Sequence, residues 1–292
     1  MHPKSKSIKK GRIQTLNVVL EYLVSPKKAE KKPWEMFLIG ALLPSVAILL
    51  SLWVFKNYVS FNMIALTTLA AIPLMYNTIR LEEKKDTVIK GERARLKEHS
   101  KFLLFYLFFF MGSVVAFAAW YVYIPPSLTE NVFGLQENTI KHFDENMGEG
   151  GVGNYLSATT YAGKIFFNNF KILAFCLIFS LFFGAGAIYI LTLNASVIGT
   201  AVGMFMKENA HGVFAGISIG LMRYLTHGIF EIIAYFIAGL AGGIISIAVI
   251  KHDFKGKTMN AIWQDATNLV LLALLFLFLG ALVEVYVTPL YY

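Results

Sequence analysis

The sequence predicts an all-α polytopic membrane protein, a bundle of transmembrane helices with about seven hydrophobic segments. Three observations support this fold class: 57% of the residues are hydrophobic, 15% are aromatic, and the mean hydropathy is +0.60. Soluble domains contain fewer apolar residues, and an apolar run of about 20 residues is long enough to cross a bilayer as a helix. The protein is therefore expected to have the lipid bilayer as its first partner.

Six of the hydrophobic segments have a length that suits a membrane-spanning helix. These segments are residues 34–54, 58–79, 102–124, 165–193, 225–250 and 266–287. The fifth segment in chain order, residues 195–222, differs because two short apolar pieces flank the polar sequence KENAH. Irregular backbone is tolerated at membrane depth only where protein buries it or water lines it. We therefore expect a broken crossing or a re-entrant hairpin at 195–222.

The distribution of charge divides the chain into four regions. They are a basic segment at 1–33, a transmembrane region at 34–124 with a charged connector at 80–101, an acidic loop at 125–164, and a second transmembrane region at 165–292. Nothing in the connector is typical of a catalytic site. The Gly-rich patch GEGGVG in the acidic loop lacks the Gly-Lys-Ser/Thr ending of a phosphate-binding loop.

Basic residues predict the orientation, because the cytoplasmic loops of membrane proteins carry an excess of Lys and Arg. If the segment 195–222 crosses, residues 1–33, 80–101 and 251–257 lie on one side and contain 20 of the 26 basic residues. The sequence then predicts a multi-pass protein of the cell membrane with a cytoplasmic N-terminus and an extracytoplasmic acidic loop. A hairpin at 195–222 would instead place residues 251–257 outside.

Several functional classes are disfavoured. The basic excess, 26 Lys and Arg against 18 Asp and Glu, lies at the edges of hydrophobic segments, so it indicates topology and no nucleic-acid partner. The single cysteine, Cys176, lies in an apolar run and can form no intrachain disulfide. The sequence contains no HExxH, G-x-S-x-G or Walker motif. We therefore nominate no catalytic residue and expect a protein that is not an enzyme.

A polar pair stands out in the sixth segment, where His227 and Glu231 lie one helical turn apart. Positions i and i+4 share a helix face, and Tyr224 and Tyr235 lie near the same stripe. A charge at the bilayer centre costs roughly 2.5 to 3.5 kcal/mol, so such residues usually face the bundle interior and pair. Asn194 and His211 are the further candidates for this intramembrane polar site.

The chemistry of this polar site stays open at the level of sequence. A hydrogen-bonded structural pair, a proton or transport path and a metal site are the three hypotheses. Zinc prefers three or four ligands and the HxxxE spacing supplies two, so neither a metal nor another cofactor is identified. Of the other polar residues, we expect Glu284 at the membrane interface or as a further ligand of this site, and Asp265 near the start of the last helix. Asn168 and Asn169 are expected to cap the fourth span or to bind its neighbour.

Small residues predict close contacts between helices. Gly199 and Gly203 are four positions apart, as are Gly239 and Gly243. This small-xxx-small spacing lets two membrane helices approach closely. We therefore expect these four glycines to be packing surfaces within the bundle or between subunits.

The C-terminal half resembles the stage II sporulation protein M family of integral membrane proteins. The resemblance covers about residues 164–250 and lies in Asn168 and Asn169 at the opening of a span, the Gly-rich end at Gly184 and Gly186, Asn194 followed by Gly199 and Gly203, and a His-Gly-x-x-Glu signature at His227, Gly228 and Glu231. Two positions depart from the family's pattern, Thr226 where Pro is common and Ala195 where Gly is common.

The resemblance implies a membrane scaffold or an uncharacterised transport-like protein. Members in spore-forming bacteria are membrane scaffolds for a complex that remodels peptidoglycan, in which partner proteins cleave the wall. We therefore expect a scaffold or component of an envelope or membrane-remodelling complex, with other membrane proteins or further copies of the chain as partners. The alternative is a transporter or channel that uses 195–222 and the His227/Glu231 face. A metal-dependent membrane enzyme is the third hypothesis.

Overall fold

The computed structural model describes residues 32–86, 92–149, 155–180, 185–208, 213–250 and 257–288. Within these ranges it consists of eight α-helices, which confirms the all-α fold class. The helices are α1 (Glu35–Val54), α2 (Val59–Asp86), α3 (Glu92–Tyr123), α4 (Pro126–Glu149), α5 (Tyr155–Ser180), α6 (Ala185–Glu208), α7 (Val213–Ile250) and α8 (Lys257–Tyr286).

Six of these helices are long and apolar enough to cross a membrane. The candidate spans are Glu35–Val54, Leu103–Tyr123, Thr159–Ser180, Ala187–Lys207, Gly228–Ser246 and Ile262–Tyr286. The helix α2 adds a shorter apolar stretch, Val59–Leu74, before its charged end at Asp86. The predicted count of about seven hydrophobic segments corresponds to these six spans and the apolar part of α2.

The boundaries of the fourth and fifth segments differ from the expectation. The predicted fourth span, 165–193, is divided between α5, which ends at Ser180, and α6, which begins at Ala185. The intervening residues, LFFG, are mostly apolar, so hydropathy does not mark this boundary. The predicted fifth segment, 195–222, is divided between two longer helices: 195–208 completes α6, which contains the candidate span Ala187–Lys207, and 213–222 begins α7. Residues 209–212 lie outside the described residues.

The acidic region contains a long helix, α4, where the sequence suggested a flexible loop. Pro126 occupies its first position, where a missing N–H is tolerated. The helix buries one stripe of side chains in the bundle: Val132, Phe133, Gln136 and Ile140. Because these positions recur at helical spacing, α4 is amphipathic and packs along the bundle.

Polar contacts fix α4 in place. The Asn131 side chain donates a hydrogen bond to the Lys56 carbonyl (2.8 Å), and Ser60 donates one to the Asn131 carbonyl (3.1 Å). Both contacts attach α4 to the turn between α1 and α2. The end of the bundle that carries α4 therefore also carries this turn.

A row of three helices, α3, α6 and α7, forms the centre of the bundle. The helices α1 and α2 pack on one side of this row, and α5 and α8 pack on the other. The candidate spans of α6 and α7 are 67% and 72% buried, whereas those of α5 and α8 are 17% and 33% buried. The two last helices therefore lie at the perimeter and present most of their apolar surface outward.

Glycines make the central contacts possible. A methyl group added at Gly199 would lie 2.7 Å from Phe117 Cβ on α3, and one added at Gly203 would lie 2.8 Å from Tyr121 Cβ. Because the two pairs advance together along both helices, α3 and α6 run parallel. The missing side chains allow the two backbones to approach closely.

Candidate intramembrane polar site

Glu231 lies on α7 and receives a hydrogen bond from another helix. The side-chain amide of Asn169 on α5 donates to Glu231 Oε1. Asn169 is buried, with 8% of its surface exposed, and Glu231 is partly buried. An amide N–H donor stabilises a carboxylate in an apolar bundle, where a carboxylate needs a polar partner.

A second carboxyl group, Glu284 of α8, completes an acidic pair. It interacts electrostatically with Glu231 and is only 4% exposed. The helices α5, α7 and α8 pack pairwise against one another. Three helices therefore contribute one polar side chain each to the same region of the bundle.

Tyr235 adds a fourth polar group, one turn after Glu231 on α7. Its ring is 1% exposed, and its hydroxyl has no hydrogen-bond partner among the described residues. The side chain interacts electrostatically with Glu231, Glu284 and Cys176. The hydroxyl is thus a buried polar group on the same face of α7 as Glu231. We call Asn169, Glu231, Tyr235 and Glu284 together the polar site.

The side chains predicted to accompany Glu231 have other positions. Asn194, on α6, donates its amide hydrogen to the carbonyl of Ile190 (2.8 Å), one turn back in its own helix. The backbone of His227 belongs to α7, but its side chain lies outside the described residues, as does the whole of His211. The role predicted for these two histidines therefore stays a prediction.

Three members of the polar site, Asn169, Tyr235 and Glu284, were assigned less clearly from the sequence than Glu231 was. Asn169 lies in the interior of α5 and bonds to Glu231 of a neighbouring helix, so of its two predicted roles the contact with a neighbour is confirmed and the capping role is wrong. Glu284 is buried in the bundle and interacts with Glu231, as its predicted role as a further ligand requires, whereas its predicted position at the membrane interface stays a prediction. Asp265, which is not part of the polar site, is buried inside α8, which begins eight positions earlier at Lys257. For Tyr235, the signal in the sequence was its spacing of one helical turn from Glu231.

The predicted packing glycines occupy buried positions on α6 and α7. Gly199 and Gly203 face α3, as described above. Gly239 and Gly243 are both buried in α7. Beside them, a methyl group added at Gly242 would lie 2.6 Å from the Leu177 carbonyl oxygen of α5. The helix α7 therefore approaches α5 closely at Gly242.

We next consider whether Cys, His, Asp and Glu side chains come together as a metal site. No group of three or more His, Cys, Asp or Glu side chains that could hold a metal occurs among the described residues. Cys176 is a buried free thiol, as the sequence predicted. A zinc site built from such side chains alone is therefore not seen in the described part of the chain.

Comparisons with known proteins agree with the resemblance found from sequence. The profile of the family described as "Stage II sporulation protein M" matches residues 102–289. An uncharacterized protein from Methanocaldococcus jannaschii is 30% identical over 129 residues, which cover 43% of this chain and 70% of that protein. No solved structure matches the sequence.

The matched region is wider than the resemblance at 164–250. It begins at the candidate span of α3 and continues through α8, so it includes α4 and all four members of the polar site. It also includes the close contacts of Gly199 and Gly203 with α3. The protein belongs to the stage II sporulation protein M family and is an integral membrane protein with several membrane-spanning helices.

Proposed function

We propose that this protein is a non-enzymatic scaffold or component of an envelope or membrane-remodelling complex. The observation that carries the proposal is the outer face of α5. Lys171 and Asn168 are exposed on this face, although both lie inside the candidate span Thr159–Ser180. Hydrocarbon is a costly environment for a lysine, whereas a polar group on another membrane protein is a favourable one.

The remainder of the same face is aromatic. Phe175 and Phe179 are both exposed and stack on each other, with ring centroids 4.0 Å apart. Phe175 lies one turn after Lys171, so a cationic group and an aromatic patch share one stripe of α5. A helix that carries an acidic residue and apolar side chains is the complementary partner for this stripe.

The close packing of the bundle interior is the second observation that favours the scaffold role. Close contacts at Gly199, Gly203 and Gly242 hold α3, α5, α6 and α7 together. A close-packed centre provides a fixed frame for the perimeter helices. The scaffold role that the resemblance implies is compatible with this frame.

No observation favours the transport hypothesis over the scaffold. It rested on a broken or re-entrant stretch at 195–222 and on the His227/Glu231 face. The described parts of that stretch belong to two long helices, α6 and α7, and the side chain of His227 lies outside the described residues. We therefore retain the scaffold as the proposed function. We also propose that the protein resides in the cell membrane with a cytoplasmic N-terminus, which places α4 on the outer side, as the basic residues predict.

Site-specific photocrosslinking in native membranes tests the scaffold. A photoreactive residue at Phe175 should form an adduct with one membrane protein, while the same residue at Leu271 on α8, an apolar position that is 60% exposed, serves as the matched control. We expect the protein adduct from Phe175 to persist in Lys171→Arg and to be lost in Lys171→Leu. Lipid adducts alone at Phe175, in the pattern of Leu271, would refute the scaffold proposal.

A further inference from the structure

The polar site contains more oxygen ligands than a structural hydrogen bond needs. Glu231 and Glu284 supply carboxylate oxygens, Asn169 supplies an amide oxygen, and Tyr235 supplies a hydroxyl. The Asn169 amide group donates to Glu231 through nitrogen, so its oxygen is a separate acceptor. Carboxylate, amide and hydroxyl oxygens are hard ligands of the kind that Ca²⁺ and Mg²⁺ prefer.

The charges of the site also point to a cation. Two carboxyl groups act on each other in the apolar bundle, and no cationic side chain among the described residues acts on either of them. Buried charges in proteins are normally paired or coordinate a metal. A divalent cation would neutralise both carboxylates at once.

The buried Tyr235 hydroxyl is a second observation that favours a bound cation, independent of the two carboxyl groups. It is buried without a hydrogen-bond partner among the described residues, and it lies one turn after Glu231 on the same face of α7. An unpartnered buried hydroxyl is unfavourable, and phenylalanine would fill the same space without it. A ligand bound between the hydroxyl and the carboxylates would satisfy this group.

We propose that Glu231, Glu284, Asn169 and Tyr235 bind a divalent cation of the hard, oxygen-preferring class, Ca²⁺ or Mg²⁺, between α5, α7 and α8. The cation joins two perimeter helices to the central helix α7. Cys176, which also acts on Tyr235, is a soft thiol that suits neither ion. The site is independent of any protein partner and can be tested on the purified chain.

The test uses the full-length protein in detergent after removal of cations with EDTA. Thermal unfolding is measured while CaCl₂ or MgCl₂ is added, and Tb³⁺ luminescence, excited through tyrosine, serves as a second probe for a Ca²⁺ site. We expect a saturable rise in melting temperature with one of the two ions. Glu284→Gln should weaken binding of that ion about tenfold or more, whereas Glu130→Gln, at an exposed carboxylate of α4, should bind as the wild type does.

Two further substitutions separate a cation site from a cation-free polar cluster. Asn169→Asp adds a third carboxylate, so it should bind the ion more tightly if a cation is held there and should destabilise the protein if none is. Tyr235→Phe should bind the ion more weakly in the first case, and in the second it should stabilise the protein by removing an unpartnered hydroxyl. No saturable binding by the wild type, or unchanged affinity in both Glu284→Gln and Tyr235→Phe, would overturn the proposal.

Discussion

Asn169 and Glu231 lie 62 positions apart in the chain, and a side-chain hydrogen bond joins them across the interface of α5 and α7. Further along the same two helices, Gly242 approaches Leu177 and Ser180. Because both contacts advance in the same sense along the two helices, α5 and α7 run parallel. The helix α5 is thus attached to the bundle by a polar contact and, farther along, by a close backbone contact.

The hydrogen bond between Asn169 and Glu231 should be measurable as stability. Asn169→Ala removes the donor and leaves a carboxylate without its amide partner, which should lower the free energy of unfolding by about 1 to 3 kcal/mol. The neighbouring variant Asn168→Ala, at an exposed position, is the matched control and should change little. Denaturant unfolding in detergent provides the comparison. Equal losses for the two variants would show that the hydrogen bond contributes nothing.

The contact of Gly199 with α3 leaves no room for a side chain. Gly199→Ala places a methyl group 2.7 Å from Phe117 Cβ and 2.8 Å from the Val114 carbonyl oxygen. We expect a loss of about 1 to 3 kcal/mol in stability, because overpacking forces the two helices apart. Gly163→Ala is the control, since no atom lies within 4 Å of the added methyl group, and its better helix propensity should be neutral or favourable. A tolerant Gly199 in thermal unfolding would contradict this packing.

Tyr121 connects α3 to two other helices. Its hydroxyl donates a hydrogen bond to Glu137 on α4 (2.8 Å), and Lys207 at the end of α6 lies 4.7 Å from the centre of its ring. Tyr121→Phe removes only the hydrogen bond, at a cost of about 1 kcal/mol, whereas Tyr121→Leu also removes the cation–π contact. We expect faster hydrogen exchange in α4 for Tyr121→Phe, and in both α4 and the end of α6 for Tyr121→Leu. Identical exchange in the two variants would exclude a role for Lys207.

Two threonines of α6 carry buried hydroxyls that lack a partner among the described residues, Thr192 and Thr200. Thr200→Val replaces such a hydroxyl with a methyl group of similar size, so it should raise stability by about 1 kcal/mol or leave it unchanged. Thr67→Val is the matched control, because Thr67 donates to the Met63 carbonyl (2.7 Å) and should lose a little stability on substitution. A clear loss in Thr200→Val would mean that a bound water or other group satisfies the hydroxyl.

The hydrophobic segments could be predicted because membrane insertion depends on local apolar length, a property of the sequence alone. The boundaries between adjacent apolar helices could not be predicted, because the residues that separate two helices can be apolar themselves. The residues LFFG between α5 and α6 are an example. The helix α4 was missed because its apolar stripe, which includes Phe133 and Ile140, is diluted by acidic residues in any average over the segment. Periodicity along 126–149 was the signal that could have found it.

Two of the four members of the polar site could be predicted from the sequence. Glu231 and Tyr235 share a stripe of one helix, and helical spacing reveals such pairs. Asn169 and Glu284 reach them from other helices, and tertiary packing alone decides which faces meet. The glycine spacing at Gly199 and Gly203 indicated close packing in the same way without identifying α3 as the partner.

The helix α7 is continuous over 38 residues, from Val213 to Ile250. At about 1.5 Å per residue it measures about 57 Å, well beyond a hydrocarbon layer of about 30 Å. Glu231 lies at its midpoint, where the polar site ties it to α5 and α8. The helix α7 therefore extends about equally far on both sides of Glu231, so a rigid rotation of α7 about the polar site would move its two ends, at Val213 and Ile250, in opposite directions.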